Sequence, residues 1–144
     1  MAHECIVSLG SNIRPHENIA AVRCILQAET RLMAISQIIE TLPDGYHAQP
    51  NFLNAALVLE TTLERHAFKQ YLKSVEQRLG RVKGPHPAGP RTMDLDIIVW
   101  DRAVVHNDYY NKPYVYGPVN EVLERLNILL PAPQQPWPIS NKTE

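Results

Sequence analysis

Asp94 and Asp96 sit in the run Gly89-Pro90-Arg91-Thr92-Met93-Asp94-Leu95-Asp96-Ile97-Ile98-Val99-Trp100, and no other residues of the chain are better placed for chemistry. The apolar, β-branched stretch around them reads as a strand, on which side chains two apart share a face. Two carboxylates roughly 7 Å apart along such a backbone repel unless a cation joins them, and hard oxygen donors suit magnesium carrying phosphates. Asp-x-Asp alone is more often a solvated strand face. Here Arg81, Lys83 and Arg91 flank it, and acids that hold a cation beside bases that hold anions are the two halves of a metal-phosphate site.

A second constellation lies upstream. In Asn51 to Thr61, Leu53, Ala55, Leu57 and Leu59 alternate as a core face, which leaves Phe52 and Asn54 pointing the other way. An aromatic beside a primary amide suits a flat polar heterocycle, because a ring stacks on one while the other offers a donor and an acceptor to its edge. On the Asp94 strand, Leu95, Ile97 and Val99 take the core face, so Asp94, Asp96, Ile98 and Trp100 join the Phe52 side. Other motifs point nowhere. Gly10-Ser11-Asn12 lacks the lysine and spacing of a nucleotide loop and reads as a strand-to-helix turn. The six histidines are scattered without metal-ligand spacing, and Cys5 and Cys24 read as buried free thiols rather than a disulfide framework.

The elements that must position these groups follow from periodicity. Cys5 to Leu9 is a strand, and Pro15 opens a helix with the stripe Ile19, Val22, Ile25 and Leu26. Met33 to Thr41 is a second strand, Leu42 to Pro50 a loop turning at Pro43-Asp44-Gly45, and Asn51 to Thr61 a third strand. Thr62 caps a second helix with Phe68, Leu72, Val75 and Leu79, stopped by Gly80; Met93 to Trp100 is the fourth strand. The order βαββαβ predicts an α+β, ferredoxin-like antiparallel sheet with two helices on one face and the opposite face free for a site. A short strand near Ala103 to Val105 and a helix from Pro118 extend it, followed by a Pro-rich tail.

The chain has 144 residues with 44% hydrophobic content, enough for one core and little more. Residues 1–130 read as a single domain and 131–144 as the tail. A formal net charge of -1 and no basic stripe argue against nucleic acid. The N-terminus lacks a signal sequence, so the sequence reads as a cytoplasmic monomer with no membrane partner.

Together, Leu9-Gly10-Ser11-Asn12, Gln49-Pro50-Asn51-Phe52-Leu53-Asn54-Ala55, Glu76 before Gly80-Arg81-Val82-Lys83, and Gly89 to Asp96 resemble the hydroxymethyl-dihydropterin pyrophosphokinases of folate biosynthesis. The resemblance implies transfer of the terminal diphosphate of ATP to the hydroxymethyl group of 6-hydroxymethyl-7,8-dihydropterin, with release of AMP. It implies two magnesium ions on Asp94 and Asp96, with Arg81 and Arg91 neutralising phosphate charge. Thr41, Gly45, Phe52, Asn54 and Tyr114 would form the pterin pocket, and ATP, as co-substrate, would meet Lys73, Glu76, Lys83, Ile97 and Lys112. The chain departs from the family pattern in Lys83 for an arginine, in Ala88 for an aromatic, and in a shortened segment from His106 to Lys112 without the usual Pro-His motif. These departures leave a second reading, a non-catalytic pterin-binding or regulatory paralogue with impaired ATP binding. A third, a ferredoxin-like interaction domain, makes the acids a solvated face.

Overall fold

The computed structural model describes residues 1–82, 84, 85 and 88–131. The chain runs β1 (His3–Ser11), α1 (Pro15–Glu29), β2 (Arg31–Ile35), β3 (Ile39–Thr41), β4 (Phe52–Thr61), α2 (Arg65–Arg78), β5 (Asp94–Trp100), β6 (Ala103–Val104), α3 (Asp108–Asn111) and α4 (Pro113–Arg125). The strands form one antiparallel sheet in the order β2-β4-β1-β5-β6, and β3 also pairs with β4. This is the α+β, ferredoxin-like arrangement that the element order predicts. No helix among the described residues is long and apolar enough to cross a membrane. Apart from Pro131, the Pro-rich tail lies outside the described residues.

Strand alternation divides the core in two. On one side Cys5, Val7 and Leu9, Ala55, Leu57 and Leu59, and Leu95 pack under Ile19, Val22 and Leu26 of α1 and Phe68, Leu72 and Val75 of α2. On the other, Ile6, Ala56, Val58 and Ile98 pack against Val115, Val119, Val122 and Leu123 of α4. The second face is therefore not free, as the sequence suggested. Helix α4 covers one end, and among the described residues the end carrying Phe52, Asn54, Asp94 and Asp96 is open as a cavity. That helix starts at Pro113, not at Pro118, which lies buried inside it. Proline suits a first helical turn, where its missing amide has no partner. Pro113 takes that position, and Pro118, which forgoes a backbone bond, is buried on the helix.

Several local expectations are corrected. The register of β1 against β5 shifts between Ile6 and Val7, so that Ile6 faces Val99 and Val7 faces Ile97. An extra residue in one strand leaves two successive side chains on one side. Val99 therefore joins Ile98 on the α4 face and Trp100 returns to the α1/α2 face, the reverse of strict alternation. The strand expected over Met33 to Thr41 is two strands, β2 and β3. Between them the Ser36 amide still donates to the Ala56 carbonyl at 2.9 Å, while Ser36 Oγ accepts the Ala56 amide at 2.8 Å where a backbone carbonyl would in a continuous strand. Gly10 and Ser11 continue β1 instead of turning, since both pair with β4. Thr62 does not cap α2; Glu64 is the N-cap residue and makes no side-chain capping bond. Cys5 is buried, whereas Cys24 is exposed on α1.

One ion-pair cluster fastens the far end of the sheet. His3 Nδ1 lies 2.7 Å from Asp101 Oδ2 and Nε2 3.1 Å from Glu64 Oε2, joining β1 to the β5–β6 turn and to the start of α2. The hydrogen bond to Asp101, then that to Glu64, raises the His3 pKa above its ordinary value. A raised basic pKa contributes stability that is full below the unfolded value and is lost as pH rises through the folded one. The Asp101 carboxylate, lowered by the same bond, stays ionised throughout that window. The melting-temperature difference between wild type and His3→Ala is expected to shrink as pH rises from about 5 to 8; a constant difference would contradict the assignment.

Candidate active site

The open end of the sheet is shaped by one glycine. Gly10 of β1 lies opposite Asn54 of β4 on one side and Asp94 of β5 on the other, so three adjacent strands present an amide, no side chain, and a carboxylate in a row. The gap forms the floor of a cavity of about 210 Å³, whose walls include Thr41, Leu42, Asp44, Phe52, Asn54, Arg91, Asp94, Asp96, Asp108 and Tyr114. One row further along, Ser8 stands between Ala56 and Asp96. Asn54 is buried, and its Nδ2 donates to Thr41 Oγ1 at 2.5 Å, while its Oδ1 takes no hydrogen bond among the described residues. Phe52 carries the Arg91 guanidinium 4.8 Å from its ring centre. The cavity thus offers two aromatic rings, a fixed amide and a carboxylate pair.

The acids are held by cations on either side. Arg81 Nη1 donates to Asp94 Oδ1 at 2.8 Å, and Arg91 Nη1 donates to Asp94 Oδ2 at 3.3 Å. Arg81 is itself gripped by the buried Glu76, at 3.0 Å from Oε1. Glu76 also accepts the Leu95 amide at 2.7 Å. That amide lies on the edge of β5 beyond the reach of β6, which pairs only with Val99 and Trp100, and a buried edge donor needs such a partner. Asp96 has a weaker companion, Lys73 Nζ at 3.9 Å. Burial, then the Asp94 charge, pushes its pKa up to about 6. A carboxylate disfavoured by an acidic neighbour gains most from an added cation.

Asp96 also lines a second cavity, of about 350 Å³, with Arg65, His66, Lys69, Lys73, Ile97 and His106 among its walls. Asp96 is the residue that the two walls have in common. Arg65, Lys69 and Lys73 are spaced four apart on α2, so they form one basic stripe directed at β5. Anionic groups fit this cavity as a flat polar ring fits the first.

Comparison with known proteins identifies the family. The family described as 7,8-dihydro-6-hydroxymethylpterin-pyrophosphokinase matches residues 6–124. The chain belongs to this family. It is 33% identical over 131 residues to the 2-amino-4-hydroxy-6-hydroxymethyldihydropteridine pyrophosphokinase of Bacillus subtilis, covering 83% of this chain and 78% of that one. It is 31% identical over 131 residues to the protein of the same description from Haemophilus influenzae, covering 83% and 81%. A mitochondrial folate synthesis bifunctional protein of Pisum sativum is 30% identical over 130 residues, covering 83% of this chain but only 25% of the longer protein.

For this pyrophosphokinase-family chain, the structure gathers Thr41, Phe52, Asn54, Arg91, Asp94, Asp96 and Tyr114 around the first cavity, with Arg81 behind Asp94. Gly45 turns the loop with φ 88°, but Leu42 and Asp44, rather than Gly45, line the wall. Lys73 and Ile97 line the second cavity. Glu76 is buried behind Arg81, and Lys112 lies away from the second cavity, paired with Asp44, which also accepts the Tyr114 hydroxyl at 3.2 Å. The Lys112 bond holds the Asp44 pKa below its ordinary value. Lys83 lies outside the described residues. The sequence reading missed Asp44, Arg65, His66, Lys69, His106 and Asp108. The four-residue spacing on α2 was a legible signal for Arg65 and Lys69, whereas Asp44, His106 and Asp108 come from loops or loop ends whose path no periodicity encodes.

A methyl group at Gly10 would lie 2.9 Å from Asn54 Oδ1. Gly10→Ala is therefore expected to destabilise the protein by about 1–3 kcal/mol, read by denaturant unfolding. In an Asn54→Ala background the same change should be close to neutral, and an equal cost in both backgrounds would show that the crowding lies elsewhere.

Proposed function

We propose that this chain performs the reaction of its family at the wall shared by the two cavities, moving diphosphate from ATP to the hydroxymethyl group of 6-hydroxymethyl-7,8-dihydropterin and releasing AMP. The observation that carries the reading is the position of Asp96, which lines the first cavity on one side and the basic cavity on the other. A pterin in the first cavity stacks against Phe52 and Tyr114 and reads Asn54 at its edge, with Thr41 fixing the amide's orientation. ATP in the second cavity meets Lys73, Lys69, Arg65 and His106. The hydroxymethyl oxygen then bonds to the β-phosphorus, releasing its proton to solvent, as the bond from that phosphorus to the oxygen of AMP breaks. Transfer of this kind asks mainly for positioning and charge stabilisation.

The donor set fits magnesium. No group of three or more metal-binding side chains occurs among the described residues, but magnesium is commonly held by one or two carboxylates with waters and substrate phosphates completing its shell. Asp94 and Asp96 supply those carboxylates, and we assign them two ions. Bound there, magnesium would screen phosphate charge and polarise the phosphoryl oxygens. Arg81 and Arg91, which hold Asp94, are placed to share their charge with the phosphates and departing AMP. Glu76 keeps Arg81 aimed. We read the chain as a monomer whose residues 1–130 act as one domain, and use of ATP suits a cytoplasmic setting.

Asp94→Ala and Asp96→Ala are expected to lower magnesium-dependent turnover by more than the about 10- to 100-fold typical of residues that merely support a metal ligand, with circular dichroism unchanged. Wild-type turnover in either variant would defeat the metal assignment. Because the Asp96 pKa is raised to about 6, a proton competes with the cation below that pH. The magnesium concentration for half-maximal rate should therefore climb as pH falls through about 6, and a flat dependence would contradict this.

Arg81→Ala and Arg91→Ala should each reduce kcat on the order of 100- to 1000-fold, as for loss of one preorganised donor, with a smaller effect on pterin affinity. If pterin affinity fell while kcat held, that arginine would belong to the ring pocket alone.

A further inference from the structure

Asn12 and Gln49 line neither cavity, yet their side chains bond the residues directly behind the first one. Asn12 is 5% exposed. Its Nδ2 donates to Gln49 Oε1 at 2.8 Å and to the Pro50 carbonyl at 3.0 Å, and its Oδ1 accepts the Arg91 amide at 2.9 Å. The Asn12 backbone amide donates to the Arg91 carbonyl at 3.1 Å, so Arg91 is held on both sides of its peptide unit. Gln49 Nε2 donates to the Tyr46 carbonyl at 2.6 Å and to the Ala88 carbonyl at 2.7 Å. Two primary amides thus join three segments: the end of β1, the loop before β4, and the stretch before β5 that carries Arg91.

Each amide has only one orientation that works. Reversing Asn12 would set its NH₂ against the Arg91 amide, and reversing Gln49 would set its oxygen against two carbonyls. Arg91 links the aromatic and acidic walls of the first cavity, since its guanidinium lies over Phe52 and reaches Asp94. The loop before β4 contributes Leu42 and Asp44 around the same cavity, beside Thr41 at the end of β3. An amide chain with every donor satisfied, buried at Asn12 and half-buried at Gln49, is stiff, so the placement of the Arg91 side chain depends on the pose of that loop.

We propose that Asn12 and Gln49 form a positioning relay that sets Arg91 for phosphate transfer from the ring-pocket loop. The proposal rests on the reaction assigned above and deepens it. Gln49→Ala, and Gln49→Glu, which keeps the acceptor for Asn12 but turns a carboxylate toward two carbonyls, are expected to lower kcat by about 10- to 100-fold, the range for supporting residues and small misplacements. In an Arg91→Ala background, Gln49→Ala should change kcat by no more than about two-fold, because a residue acting through Arg91 has nothing left to position. Hydrogen exchange supplies a readout independent of turnover. Gln49→Ala should speed exchange of the amides at 88–92 while those of β1 and β5 keep their protection. The full kcat loss recurring in the Arg91→Ala background, unchanged exchange at 88–92, or equal loss of protection across β1 and β5 would each overturn the relay. A wild-type protein without diphosphate transfer would instead defeat the assigned reaction, with the exchange comparison still deciding the relay.

Discussion

Asp94 and Asp96 project from one face of β5, and the repulsion between them sets the terms for everything placed around the site. Left alone, a strand with two such acids would fray or turn them toward solvent. Here Arg81 and Arg91 hold Asp94, Lys73 approaches Asp96, and buried Glu76 fastens Arg81 while accepting the Leu95 edge amide. The compensation is uneven. Asp94 has two close arginines, whereas Asp96 has one lysine at 3.9 Å and is left with a raised pKa. An incompletely balanced carboxylate at the junction of two cavities is a place where a dication bringing phosphates lowers the energy of the protein as well as of the ligand.

Backbone economy makes the junction possible. A side chain at Gly10 would meet Asn54, so the ring cavity is the space that a glycine leaves between an amide and a carboxylate on neighbouring strands. Because α1 and α2 take one face of the sheet and α4 takes part of the other, this hollow is kept open only at one end. The second cavity forms where the basic stripe of α2 passes the same strand. In the proposed reaction, strand register and one helix face would set acceptor and donor side by side.

Much of this was legible in the residues. Alternation in β4 separated Phe52 and Asn54 from the core, the stripes of α1 and α2 were clear, and the Asp-x-Asp spacing with flanking arginines placed the acids. What failed to show has physical causes. The bulge that turns Val99 and Trp100 over depends on pairing with β1, which strict alternation cannot reveal. Pro118 looked like a helix start because proline suits a first turn, whereas it lies buried inside α4. Glu76 matched a family motif, but its burial behind Arg81 is a tertiary fact. Asp44, Asp108 and His106 reach the cavities from loops or loop ends, where side-chain direction has no period to follow.

If both substrates meet at Asp96, they must bind side by side and not in turn. The direct measurement is calorimetric titration of 6-hydroxymethylpterin into protein already saturated with magnesium and a non-hydrolysable ATP analogue, compared with the same titration without nucleotide. One pterin site per chain is expected in both, with the nucleotide still bound when the pterin is added. Loss of pterin binding in the presence of the nucleotide analogue, showing that the two compete for one cavity, would contradict the shared wall on which the proposed reaction rests.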